Sequence, residues 1–175
     1  MDWYTSVFEL IDMRSFSNLW FWVALAVLWS SASHWVLGVP WDMVLRAGRV
    51  GGQPAADMET MVRINSERIL YITRESGVLM TGFAGFVLTF LFLVGFVYGR
   101  EFAQAVFLLG TPMALVWLLS VGTAGRVQRQ ELSDAALIKQ LTRLRFYIRL
   151  IGMASIFVTA TWGMWQNMSS SALGG

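Results

Sequence analysis

The stretch GVLMTGFAGFVLTFLFLVGFVYG (77–99), followed after Arg100 and Glu101 by FAQAVFLLGTPMALVWLLSVGTA (102–124), decides the fold. Neither 23-residue run contains an Asp, Glu, Lys or Arg. At ~1.5 Å per residue, either is long enough to cross the ~30 Å hydrocarbon core of a bilayer as a helix. The apolar residues are continuous rather than alternating, which points to helices and not to barrel strands. The two charged residues between the runs leave room only for a tight helical hairpin, with Gly99 ending its first arm. Pro112 is expected to kink the second arm, which membrane helices tolerate where a neighbour satisfies the freed carbonyl.

Two more windows of the same kind flank this hairpin, residues 18–39 and 146–166. Together the four windows hold 89 residues and a single charged side chain, Arg149, while the other 86 residues carry 23 charges. The second group has an ordinary soluble composition. A soluble single domain is therefore excluded. The expected fold is an all-α membrane protein of one domain, 1–175, with four transmembrane helices at 18–39, 77–99, 102–124 and 146–166.

Charge outside the windows orients the chain. Segment 40–76 contains Arg46, Arg49, Arg63, Arg68 and Arg74, and segment 125–145 contains Arg126, Arg129, Lys139, Arg143 and Arg145. Only Arg14 and Arg100 fall on the other side. By the positive-inside rule both longer segments are expected to be cytoplasmic and both termini periplasmic, in a bacterial inner membrane. Trp20, Trp22, Trp162 and Trp165 at the outer level, with Trp35 and Trp41 at the inner, match an interfacial aromatic belt. Asp2, Glu9 and Asp12 precede Arg14, the reverse of a signal peptide's basic opening, so the N-terminus is expected to be retained.

The remaining segments are patterned. Residues 2–16 place Trp3, Tyr4, Val7, Phe8, Leu10 and Ile11 on one side of a short helix suited to the outer interface, and Ser17 or Asn18 suits the cap of the first span. After a GRVGGQP linker (48–54), Met58, Val62, Asn65, Ile69 and Ile72 recur at spacings of four and three. Leu137, Leu141, Leu144, Ile148 and Ile151 repeat that spacing after Ser133, a suitable cap. Both stripes belong to helical extensions that run directly into spans two and four. They either pair in parallel as a short heptad seam, with Asn65 setting register, or pack separately on the bundle or the bilayer surface.

Chemistry-bearing residues are few. With no cysteine and a formal charge of +2, the chain offers no disulfide, no thiolate and no Cys-ligated cluster site, and no footprint for nucleic acid. No nucleotide loop, metal motif or carboxylate pair stands in the spans, so neither enzyme activity nor a cofactor is expected. His34, beside Ser30, Ser31 and Ser33, is the candidate polar site: a haem or quinone contact or proton relay on one reading, an interfacial hydrogen-bonding group on the other. Arg149 is placed to snorkel. Gly95 and Gly99 form a GxxxG, and Gly152, Ser155, Thr159 and Gly163 share a narrow helical sector. Such faces serve close helix packing within one chain or against another subunit, including a second copy.

ELIDMRSFSNLW (9–20), SASHWVLGVPWDMVLRA (31–47) and RFYIRLIGMASIFVTATWGMWQN (145–167) resemble a family of small alphaproteobacterial membrane proteins labelled as a component of the SufBCD iron–sulfur cluster assembly complex. The resemblance runs nearly the whole length and implies partnership with iron–sulfur machinery, without a catalytic site to carry over. The leading expectation is a non-enzymatic accessory, assembly or scaffolding subunit that contacts the lipid bilayer and other protein subunits. A small oligomeric transporter or channel, and a redox or quinone-associated subunit using His34, are the alternatives.

Overall fold

The computed structural model describes Phe16 and residues 19–172. The proposed interfacial helix over 2–16, apart from Phe16, and the caps Ser17 and Asn18 lie outside the described residues. Helix α1 spans Leu19–His34, strands β1 and β2 span Trp35–Val36 and Val39–Pro40, and α2 spans Trp41–Val50. Helix α3 spans Gly52–Phe92 and is prolonged by a π-helical turn, Leu93–Val97; α4 spans Glu101–Arg129 and α5 Asp134–Ala172. Three helices are long and apolar enough to cross a membrane: Gly52–Val97, Glu101–Arg129 and Asp134–Ser169.

The first apolar window differs from expectation. It is not one helix over 18–39, because α1 stops at His34 after 16 residues, about 24 Å of rise. The chain then reverses through the hairpin, with Trp35 opposite Pro40 and Val36 opposite Val39. Leu37 and Gly38 both have positive φ, 53° and 73°, as a two-residue type I′ turn requires. A left-handed leucine costs about 1–2 kcal/mol. Burial offsets this: Val36 and Val39 are fully buried and Leu37 is 4% exposed. Asn65 adds a hydrogen bond, its Nδ2 donating to the Gly38 carbonyl at 3.1 Å.

The hairpin returns the chain into α2, which buries Val44 and Ala47 and leaves Arg46 and Arg49 exposed. Residues 48–54 are thus no seven-residue linker. The joint is Gly51 and Gly52, at φ 65° and 57°, and the Gly51 N–H donates to the Ala47 carbonyl at 3.0 Å. Pro54 lies in the first turn of α3, where its missing N–H has no partner to lose.

The two heptad stripes both enter the core but do not form a seam with each other. Met58, Val62, Leu137, Leu141, Leu144 and Ile148 are all at most 2% exposed, in one cluster with Val36, Val39, Val44, Ala124 and Val127. Helix α3 packs mainly on α4 and α2, α5 packs mainly on α4, and α3 meets α5 at few points. Asn65 therefore pins a turn instead of setting a register. Each stripe is the buried face of an ordinary bundle helix.

Helix α4 passes Pro112 without interruption. Its end is a Schellman motif: Glu131 takes φ 45°, and the Leu132 N–H reaches back to the Val127 carbonyl at 3.2 Å. Leu132 also packs on the core that holds Val127. Ser133 contributes its carbonyl to Leu137 N–H at 3.2 Å.

Gly38 and Asn65 should couple. A Cβ on Gly38 would lie 2.8 Å from Asn65 Nδ2 at a φ that disfavours any side chain, so Gly38→Ala is expected to cost about 1–2 kcal/mol. Asn65→Ala should cost about 1 kcal/mol for the lost hydrogen bond. In the double variant the steric conflict is gone, so thermal unfolding in detergent should show less destabilisation than the two single effects added together.

Candidate functional site

His34 ends α1 and faces Asp42 in the first turn of α2, with Nε2 and Oδ1 3.8 Å apart and the side chains 52% and 68% exposed. A pair that open to solvent contributes little. Ser30 and Ser31 are likewise exposed. The interaction that organises this corner comes from α5. Arg145 Nε donates to the Ser33 carbonyl at 2.9 Å, and its guanidinium carbon lies 4.1 Å from the centroid of the Trp41 ring. A cation thereby closes the C-terminus of α1, where carbonyls are unpaired and the helix dipole is negative. Cation–π contact adds to the hold.

The small-residue faces split by role. Gly95 permits close approach: a Cβ there would be 2.8 Å from the Gln104 backbone nitrogen. Gly99 takes φ 67° with open space around it, serving the turn instead. On α5, a Cβ at Gly152 would meet the Trp29 ring at 2.8 Å and one at Gly163 would meet Phe16 at 3.1 Å. Ser155 and Thr159 are 8% and 1% exposed. The α5 face is therefore covered from within the chain, by Trp29 of α1 at Gly152 and by Phe16 at Gly163. Trp29 Nε1, Ser155 Oγ and Thr159 Oγ1 are buried there with no hydrogen-bond partner.

At the end of the bundle that carries Arg100, a residue that no sequence motif marks holds the elements together. Gln104, 3% exposed, donates from Nε2 to the Gly95 carbonyl at 2.8 Å. Its Oε1 accepts from Trp162 Nε1 at 2.9 Å and from Gln166 Nε2 at 2.8 Å. The carbonyl it satisfies belongs to the π turn, where the Tyr98 N–H reaches Leu93 O at 3.1 Å and the α-helical pattern is lost. Nearby, Glu101 Oε1 accepts the Phe16 N–H at 2.8 Å, and Trp22 Nε1 donates to the Phe16 carbonyl at 3.0 Å. One amide in a 23-residue apolar window, with a Trp and a Gln one turn apart on another window, was the available signal.

Beside a shallow cavity of about 710 Å³ along Gly48, Ile138, Lys139 and Arg143, three others among the described residues stand outside these clasps. One of about 510 Å³, near the α4–α5 turn, is lined by Glu59, Arg63, Ser66, Glu67, Gln128 and Glu131 among others. Ser66 is 2% exposed and its hydroxyl has no partner. An apolar groove of about 460 Å³ runs between α3 and α4 along Gly77, Thr81, Gly85 and Trp117. A third, of about 440 Å³, lies between α4 and α5 and combines Arg126, Arg143 and Tyr147 with Leu118 and Leu119. His34 lines none of the three. Among the described residues no three His, Cys, Asp or Glu side chains come together as a metal site. The arrangement is that of a helical membrane-type bundle with polar clasps at its ends. No family model, curated protein or solved structure matches the chain.

Gln104→Leu keeps the volume and removes three hydrogen bonds, leaving Trp162, Gln166 and the Gly95 carbonyl to find other partners. Interhelical hydrogen bonds in bilayers contribute about 1 kcal/mol each, so a drop of about 2–3 kcal/mol is expected in a detergent unfolding assay. On the α1–α5 face the signs should oppose. Thr159→Val removes an unpartnered hydroxyl and should leave stability unchanged or raised, whereas Gly152→Leu must displace the Trp29 ring and should lower it by about 1–3 kcal/mol.

Proposed function

We propose that the chain is a non-catalytic inner-membrane subunit that anchors a rigid helical head on the cytoplasmic side for a protein partner. In this reading α1, α3, α4 and α5 all cross the membrane, both termini are periplasmic, and α2 with the charged parts of α3, α4 and α5 forms the head. The observation that carries it is an asymmetry of packing. Met58, Val62, Leu137 and Leu141 are at most 1% exposed in the charged half, while none of the most apolar 18 residues of α3 is buried. A head packed like a soluble core and an apolar part whose α3 face is open suit a protein whose spans meet lipid or other helices.

Charge supports the same orientation. Because α3 and α4 are antiparallel, Arg63, Arg68 and Arg74 share one end of the bundle with Arg126, Arg129, Arg143 and Arg145; Arg100 stands at the other. The inward-facing end is then the basic one. Helix α1 is short for a full crossing, and thinning of the bilayer or tilting of its neighbours accommodates such a mismatch at modest cost. The iron–sulfur assembly machinery implied by the sequence resemblance is the partner class to examine first.

The absence of cysteine makes single-cysteine labelling clean. With a membrane-impermeant maleimide on intact spheroplasts, Arg100→Cys should label directly, and Glu59→Cys and Gln130→Cys only after permeabilisation. Asp2→Cys decides the number of crossings: direct labelling fits four, labelling only after permeabilisation fits three. Crosslinking from the Glu59 and Gln130 positions in intact membranes, followed by purification in mild detergent, should bring down a stoichiometric protein. A monodisperse chain without one overturns the scaffold reading, and a stoichiometric partner unrelated to iron–sulfur assembly overturns only the partner class.

A further inference from the structure

The cavity between α4 and α5 has a polar end and an apolar end. Helix α4 contributes Arg126 at one end and Leu118 and Leu119 at the other, eight residues or about 12 Å apart. Helix α5 runs antiparallel and contributes Gln140 and Arg143 at the first end and Tyr147 further along. Between them Gly122 leaves the floor open, since a Cβ there would meet nothing within 4 Å.

No carboxylate lines this cleft, and among the described residues neither arginine has an ion-pair partner; His34 with Asp42 is the pair the structure shows. Both arginines are exposed, so their guanidinium groups are free to meet an anion from outside the chain. The apolar walls are open as well, with Leu118 63% and Tyr147 45% exposed. In the orientation proposed above, Arg126 and Arg143 fall close to where the apolar windows of α4 and α5 meet the cytoplasmic segments, which is the level of the inner-leaflet headgroups. Basic pockets between helices at that level suit acidic lipid headgroups.

We propose that this cleft binds an anionic phospholipid of the cytoplasmic leaflet. Arg126 and Arg143 hold the phosphate, each able to present two N–H groups to it. One acyl chain follows Leu118 and Leu119 over Gly122. The inference rests on the membrane reading and adds a specific lipid to it.

The test uses the full chain, purified in detergent and delipidated. Native mass spectrometry and thermal unfolding are run with phosphatidylglycerol, phosphatidylcholine or inorganic phosphate. Phosphatidylglycerol should be retained at one per chain, at least tenfold over phosphatidylcholine. The double variant Arg126→Gln, Arg143→Gln should lose that preference, while Arg129→Gln, one turn along and outside the cleft, stays within twofold of the parent. Gly122→Leu fills the floor without touching charge and should weaken phosphatidylglycerol retention about tenfold. Equal retention of phosphatidylglycerol by the double variant overturns the site. Stabilisation by millimolar inorganic phosphate equal to that by phosphatidylglycerol, unaffected by Gly122→Leu, overturns the lipid in favour of a soluble anion. Release of the chain from membranes by alkaline carbonate overturns the membrane reading itself, a failure separate from the other two.

Discussion

Among the described residues, three backbone carbonyls at breaks in the helices and hairpin are each met by a long polar side chain from elsewhere. Arg145 reaches Ser33 at the end of α1, Asn65 reaches Gly38 in the hairpin turn, and Gln104 reaches Gly95 in the π turn. A peptide carbonyl left unpaired away from water costs about as much as a lost hydrogen bond, and more in lipid. Breaks in helical pattern are therefore tolerated only where a donor can be supplied. These donors come from residues 27 to 112 positions away or from across a hairpin. Each clasp thus fixes tertiary structure as well as relieving a local defect.

The Leu37–Gly38 reversal shows how far the effect of one such break extends. Continuing α1 to residue 39 would have carried Val36, Leu37 and Val39 on along the helix axis. Reversing buries them beside Met58 and Val62 and lays α2 into the core by Val44 and Ala47. The stripes on α3 and α5 then find α2, the hairpin and α4 as their partners. Apolar periodicity correctly marks which face of a helix is buried, but carries no information about what lies opposite. That is why the residues of both stripes were legible and their supposed mutual seam was not.

The same distinction holds elsewhere in the chain. Continuous apolarity over 77–99 and 102–124 was legible because lipid imposes one requirement on every residue. The hairpin within 18–39 was hidden because its residues are as apolar as a helix and the break is two left-handed residues, one of them a leucine with no turn propensity. Helix α2 was missed because ten residues with six apolar side chains among Asp and Arg read as a loop at the end of a span. Gly95, Gly152 and Gly163 were recognised as packing positions, but only coordinates place Trp29 and Phe16 on them. Gln104 was overlooked because a single neutral amide barely lowers the hydropathy of 23 residues, although its three hydrogen bonds tie together three segments.

Polar side chains at the two ends of the bundle therefore do unlike things. At the Arg100 end those that pair inward are neutral or acidic: Gln104 with Gly95, Trp162 and Gln166, and Glu101 with Phe16. That end is closed on itself. At the basic end Arg145 is turned inward onto Ser33 and Trp41, while Arg126 and Arg143 line an acid-free cleft. Both are exposed, with no partner from within the fold among the described residues. In the orientation we propose, the anionic headgroups of the inner leaflet would meet that charge along the rim of the head.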